Sequence, residues 1–175
     1  MILAKRKHAE VIRGFGEAIA ADLTAMLDEH ENYTITHVPT DEAPEKYLFP
    51  EFGRSATELL AEAIHKQLNM SNVRVAAVLA QTHEKARKQH ACDTDRARLA
   101  NVAGIYEVCM RELVWGRRLI LVDDIVTSGA TMEECRQTLF EAGARSVMGL
   151  AIARTNRMNA AKVILAEDEW PGSAV

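Results

Sequence analysis

Arg118-Leu-Ile-Leu-Val-Asp-Asp-Ile-Val-Thr-Ser-Gly-Ala-Thr131 constrains the fold of this chain more than any other stretch. Leu119 to Val122 is a short apolar run of the kind that fills a parallel strand covered on both faces. Asp123 and Asp124 end the run, because carboxylates are costly in a core and belong where the strand meets solvent. In open α/β sheets the ligand crevice lies beyond the carboxyl ends of the strands, so these side chains are placed to face a ligand. A loop, Val126 to Thr131, follows. Thr131-Met-Glu-Glu134 then fits a capping box, with Met132, Cys135, Leu139 and Ala142 at helical spacing. The order strand, loop, helix predicts an α/β domain.

The chemistry of the stretch is as specific as its order. A turn of Val126, Thr127, Ser128, Gly129, Ala130 and Thr131 directs backbone N–H groups and the positive end of a helix dipole at one point, which suits an anion. Gly129 permits close backbone approach. Carboxylates accept hydrogen bonds from vicinal hydroxyls. Together they describe a ribose bearing a 5′-phosphate. An ordinary strand–helix turn with a solvated Asp pair would account for each feature separately, but would not require them in one uninterrupted string.

The rest of the chain supports an α/β reading. Ile12, Phe15, Ile19, Leu23 and Met26 recur at helical spacing within Val11 to Leu27. Tyr33 to Val38 is β-branched and aromatic and stops at Pro39, predicting a strand that feeds a charged loop over Thr40 to Gly53. Ser55-Ala-Thr-Glu58 is a second capping box, opening a helix with Leu60, Ile64 and Leu68 on one face. Asn72 to Ala80 reads as one buried strand. Gln81 to Arg98 has no apolar stripe and is either a solvated surface excursion or a functional loop. Gly143 stops the helix after the Asp pair, Ser146 to Ala153 is expected to be the last strand, and Asn159 to Ala166 a closing helix.

At 175 residues and 48% hydrophobic, the chain has the length of one domain, 1–175, with enough apolar residues for a core. A formal charge of -4 disfavours a nucleic-acid partner. Cys92, Cys109 and Cys135 are too far apart for a metal or redox pair, and His37 and His90 form no ligand pair. With no apolar run near the ~20 residues of a membrane span and no signal-peptide core, the expected location is cytoplasmic, away from membranes.

Asp123-Asp124-Ile-Val-Thr127-Ser128-Gly129-Ala130-Thr131 resembles the signature of the type I phosphoribosyltransferases. Val38-Pro39, Phe52-Gly53-Arg54-Ser55 and the run Arg98-Leu-Ala-Asn101-Val-Ala-Gly104-Ile-Tyr106 are similar to the ComF-type members, without their zinc-ribbon segment. The resemblance implies a mostly parallel sheet flanked by helices on both faces, with a small hood from the terminal segments. It implies that Asp123 and Asp124 hold the ribose and, through ribose or water, Mg²⁺. Thr40, Lys46, Arg54, Lys88 and Arg98 would serve the pyrophosphate and a mobile loop, although Arg98 and Asn101 equally suit an anchoring role. Asp41 and Glu42 stand where the family is rich in arginine.

The implied activity is transfer of a phosphoribosyl group from phosphoribosyl pyrophosphate to an unidentified nitrogen base, with release of pyrophosphate. A homodimer is compatible with it. Thr127 occupies the position where purine-salvage members carry a base-deprotonating aspartate, so that general base is absent. Two alternatives remain open: a non-catalytic regulator that binds phosphoribosyl pyrophosphate or a nucleotide, and a ComF-like accessory protein of DNA uptake.

Overall fold

The computed structural model describes residues 2–40, 54–82, 104–154 and 166–169. Helix α1 (Ile2–Thr24) is followed by strand β1 (Tyr33–His37), helix α2 (Ala56–Leu68) and strands β2 (Val73–Val75), β3 (Leu79–Gln81) and β4 (Tyr106–Val108). A 3-10 turn at Arg111–Leu113 leads into β5 (Arg118–Val126), helix α3 (Ala130–Glu141), β6 (Ser146–Arg154) and β7 (Ala166–Glu169). The main sheet has five strands in the order β2-β1-β5-β6-β7, parallel except for β7 at the edge. β3 and β4 form a separate antiparallel ribbon.

β5 is the central strand, and its apolar run is divided between two cores by the two-residue period of a strand. Ile120 and Val122 join α1, α2, Ile35, Met148 and Leu150 on one face. Leu119 and Leu121 join α3, the β3–β4 ribbon and Val147 on the other. All four are at most 1% exposed, and each contributes ~1.5–3 kcal/mol of burial. Helices therefore cover both faces, as expected for a strand apolar on both sides.

Several expectations are corrected. The run Asn72 to Ala80 is not one strand. Ala76 N–H bonds to Ile35 O at 3.0 Å and Val78 N–H to Thr36 Oγ1 at 3.3 Å. The first is the last ladder bond between β1 and β2; by Val78, whose N–H bonds also to Ala76 O at 3.1 Å, the chain has left the ladder, so that Val75 ends β2 and Leu79 begins the ribbon. Periodicity could not show this, because both halves are apolar. β6 is not the last strand: β7 pairs antiparallel to it from Ala166↔Gly149 to Glu169↔Ser146. Ala166 thus opens a strand rather than closing a helix, while 155–165 lie outside the described residues. So do the loop residues 41–53, the segment 83–103 and the tail 170–175, with Lys46, Lys88, His90, Cys92, Arg98 and Asn101 among them.

α1 starts before Val11 and is continuous through Gly14 and Gly16. Ala9, Ile12, Ile19, Ala20 and Leu23 form its buried face, whereas Phe15 points outward at 43% exposure and Met26, in the turn after the helix, is 49% exposed. The stripe is rotated because Gly16, not Phe15, faces α2. A Cβ built at Gly16 would lie 2.6 Å from Ala63 Cβ. Gly16→Ala should therefore destabilise the fold by ~1–3 kcal/mol, although alanine is the better helix former by about 1 kcal/mol. Urea denaturation measures it, and adding Ala63→Gly should recover most of the loss. A stabilised single variant would show that the helices part freely.

Candidate active site at the carboxyl end of β5

β1 stops at His37, in register with Val122, while β5 continues to Val126 along β6. The signature strand is thus longer than the apolar run suggests. Asp123 pairs with Ala151 and Val126 with Arg154, so the carboxylates sit where β5 has lost its neighbour on one side. This opening makes the crevice. Val38 N–H still bonds to Val122 O at 2.9 Å, and the Thr57 hydroxyl donates to Val38 O at 3.3 Å, which holds the start of α2 beside the end of β1. Ser55 caps α2 as expected, its hydroxyl accepting from Glu58 N at 3.2 Å.

Asp123 and Asp124 each fold one oxygen back onto the chain. Asp123 Oδ1 accepts from Asp124 N at 2.9 Å, and Asp124 Oδ1 from Ile125 N at 2.7 Å. The two carboxyl groups also share a side-chain hydrogen bond, which favours the protonated form of Asp123. Burial is the main reason the Asp123 carboxyl is pushed up to about 7, and the neighbouring Asp124 charge adds to it. Cys135, fully buried on α3, has its thiol raised first by burial and then by the charges of Asp123 and Glu134. The thiol is therefore inert packing beneath Asp123, not a nucleophile.

The turn differs in detail from the capping box read in the sequence. Val126 is the last residue of β5, and Ala130 and Thr131 already lie in α3, leaving Thr127, Ser128 and Gly129 as the loop. Gly129, not Thr131, is the N-cap, at φ 84°, a left-handed conformation that favours glycine. It accepts from Glu133 N at 2.9 Å through its carbonyl, and Ser128 Oγ accepts from Ala130 N at 3.4 Å. Glu134, freed from the predicted box, takes the Gly104 N–H instead. The first-turn amides of α3 lack intrahelical partners and, with the exposed Thr127 and Ser128, form a cradle of anion-binding type.

The other sequence candidates are distributed differently. Thr40 is exposed at the end of the chain leaving β1. Arg54 pairs with Glu62 on α2 and lines a cavity of about 530 Å³ with Arg13, Glu17, Lys66 and others between α1 and α2. None of Asp123 to Thr131 lines that cavity, and its cations are interleaved with carboxylates. It is a groove in the helical layer, away from the strand ends. His37 is the residue that sequence reasoning sets aside. It is half-buried at the very end of β1.

A magnesium ion fits this donor set only indirectly. Among the described residues no three His, Cys, Asp or Glu groups cluster as a metal cage. Two neighbouring carboxyl groups, Asp123 held partly protonated by burial and by the Asp124 charge, are hard oxygen donors that suit hydroxyl groups or the waters of a hydrated cation.

No protein-family model matches the sequence, and no curated protein does. Solved structures do. The glutamine phosphoribosylpyrophosphate amidotransferase from B. subtilis, complexed with ADP and GMP, matches 83% of this chain at TM-score 0.51 and 18% identity. The match takes in 26% of that enzyme, so the chain spans about a quarter of it. A hypoxanthine phosphoribosyltransferase from Staphylococcus aureus matches 87% of the chain and 70% of its own length at TM-score 0.52 and 10% identity. A hypoxanthine-guanine phosphoribosyltransferase from Bacillus anthracis matches 87% and 74% at TM-score 0.51 and 11% identity. No helix among the described residues is long and apolar enough to cross a membrane. The chain has the mostly parallel, helix-flanked fold of the type I phosphoribosyltransferases.

Proposed function

We propose that the protein binds phosphoribosyl pyrophosphate with Mg²⁺ and transfers its phosphoribosyl group to a nitrogen base. One observation carries this reading: β5 delivers Asp123 and Asp124 into the Gly129 turn and α3 at the open end of a sheet whose fold is that of phosphoribosyltransferases. The turn would hold the 5′-phosphate and the carboxylates the ribose hydroxyls. Bound Mg²⁺ would offset charge on the diphosphate as it leaves. This chain's part is to position the sugar and stabilise that charge, two effects that can supply most of the lowering of a reaction barrier.

ComF-type kinship and a cytoplasmic, homodimeric protein of nucleotide metabolism belong to the same proposal. A sensor that binds the ligand without turnover is the second reading, favoured by the acidic Asp41, Glu42 and Glu45 after β1.

Phosphoribosyl pyrophosphate with Mg²⁺, at ~100 times Kd, should stabilise the fold by about 2.7 kcal/mol, read as a rise in Tm. Asp124→Asn should lose most of that rise. Absence of any shift at millimolar ligand would sink the reading. Pyrophosphate release across a panel of bases separates the two readings: turnover with one base identifies an enzyme, and binding without turnover on every base identifies a sensor.

A further inference from the structure

Helix α1 carries two apolar stripes, and the fold of one chain uses only the first. Ala9, Ile12, Ile19, Ala20 and Leu23 pack into the core with α2 and the sheet. Val11, Gly14, Phe15 and Ala18 recur at i, i+3, i+4 and i+7, the spacing of a helix face that packs, and all four are exposed. Val11 is 55% exposed, and a Cβ built at Gly14 would meet nothing within 4 Å. One exposed apolar side chain is ordinary on a protein surface. Here two large ones stand a single turn apart, beside a glycine and an alanine that leave the backbone open to close approach.

The stripe is complementary to itself. In a second α1 laid antiparallel across the first, with a two-fold axis between Gly14 and Phe15, Phe15 falls opposite the partner's Gly14 and Val11 opposite the partner's Ala18. Every large side chain then meets a small residue. A two-fold contact demands a surface matched to itself in this way, and small residues at a crossing let helix axes approach to ~8 Å. The charges of α1 are ordered in the same sense. Lys5, Arg6 and Lys7 stand near its start, with no acidic residue in the first turn, and Asp22 stands in its last turn, with no basic residue there. That order is the reverse of what suits a helix's own dipole. An antiparallel partner compensates it, because the backbone of Lys7 falls opposite the partner's Asp22 on the same axis, and each helix end lies beside the other's opposite pole.

We propose that this stripe docks a second copy of this chain, α1 against α1, to form a two-fold dimer. It supplies the contact surface for the homodimer of the functional reading. None of Asp123 to Thr131 belongs to the stripe, so the dimer stands whether or not the phosphoribosyl pyrophosphate reading does. A second copy is the occupant because the large-to-small matching and the charge order are both met by this one sequence run antiparallel to itself.

Sedimentation velocity of the full chain over a range of concentrations is expected to show a reversible monomer–dimer equilibrium. Gly14→Gln puts a side chain into the crossing, while glutamine is the better helix former and finds open space in the single chain. It should raise the dimer Kd at least about tenfold by overpacking the contact. Its urea midpoint, read where the monomer dominates, should match or exceed that of wild type, which separates lost docking from lost folding. Phe15→Lys should weaken the dimer too. Asp22→Lys should do the same, and adding Lys7→Glu to it should recover part of the loss. Wild type that stays monomeric at every concentration overturns the proposal and leaves the stripe to a different occupant. A dimer that both Gly14→Gln and Phe15→Lys leave intact overturns it as well, because its contact then lies elsewhere. The ligand-induced rise in Tm is a separate measurement: its absence sinks the proposed function and leaves the dimer standing.

Discussion

Asp123→Asn is expected to make the protein more stable near neutral pH and, in the same variant, to abolish most of the stabilisation by phosphoribosyl pyrophosphate. Burial, reinforced by Asp124, holds the folded carboxyl at about 7, against about 3.9 in an unfolded chain. Between those values the folded state keeps a proton that the unfolded state has released. Stability therefore falls as pH rises through that window, and the full cost is present above about pH 7. About three pKa units at 1.36 kcal/mol each set a ceiling of ~4 kcal/mol. Because Asp124 shares the titration, about 2 kcal/mol is the expected gain at pH ~8. Asparagine keeps the oxygen that accepts from Asp124 N, so the backbone of the site should hold.

Urea midpoints at about pH 5 and pH 8 measure the effect. Wild type should lose stability across that interval, and the variant should lose much less. An unchanged slope would mean that the charge at Asp123 is better solvated than its burial indicates. The ligand experiment is independent of the slope. A variant that is more stable yet fails to respond to ligand is the signature of a residue strained for function.

Arg117→Leu is expected to destabilise the fold by about 3 kcal/mol, the cost of leaving charged-group hydrogen bonds unmade in a partly buried site. Arg117 Nε donates to Thr34 Oγ1 and Nη2 to Tyr33 O, both at 2.8 Å. Thr34, fully buried, donates its own hydroxyl hydrogen to Leu113 O at 2.7 Å. The network joins the start of β1 to the turn that feeds β5, at the end of the sheet opposite the carboxylates. Desolvation, with a smaller contribution from Arg74, lowers the Arg117 pKa, as burial does to any cation, and the guanidinium stays charged. Thr34→Val alone should cost less, and the double variant should fall short of the sum, since both changes remove one shared bond. Additive losses would show that the two residues act separately.

The sequence could not announce that network. Trp115-Gly116-Arg117-Arg118 reads as a turn, and nothing in its composition says which arginine folds inward. Only the arrival of Tyr33 and Thr34 beside it decides. Phe15 misleads for a similar reason. It fits the helical period, but the close contact of Gly16 with Ala63 turns the helix by its own steric demand. The segment after Asn72 reads as a single strand because an apolar run does not record where the chain leaves a sheet. The Val78 N–H bond to the Thr36 hydroxyl, in place of a further ladder bond, makes that decision, and Thr36 belongs to a strand far away in sequence.

The sequence by itself determined the residue types gathered at the end of β5 and the class of the fold. Four apolar residues require cover on both faces, two carboxylates must follow them out of the core, and a glycine among small hydroxylated residues makes a phosphate-type turn. Those are local properties, fixed by side-chain type and spacing. Tertiary structure alone decided that β1 stops one residue short of Asp123, that burial makes this carboxyl hard to ionise, and that His37 shares a face with Asp124. These depend on strand register and on what packs above each side chain, contacts between residues dozens of positions apart that no local pattern encodes.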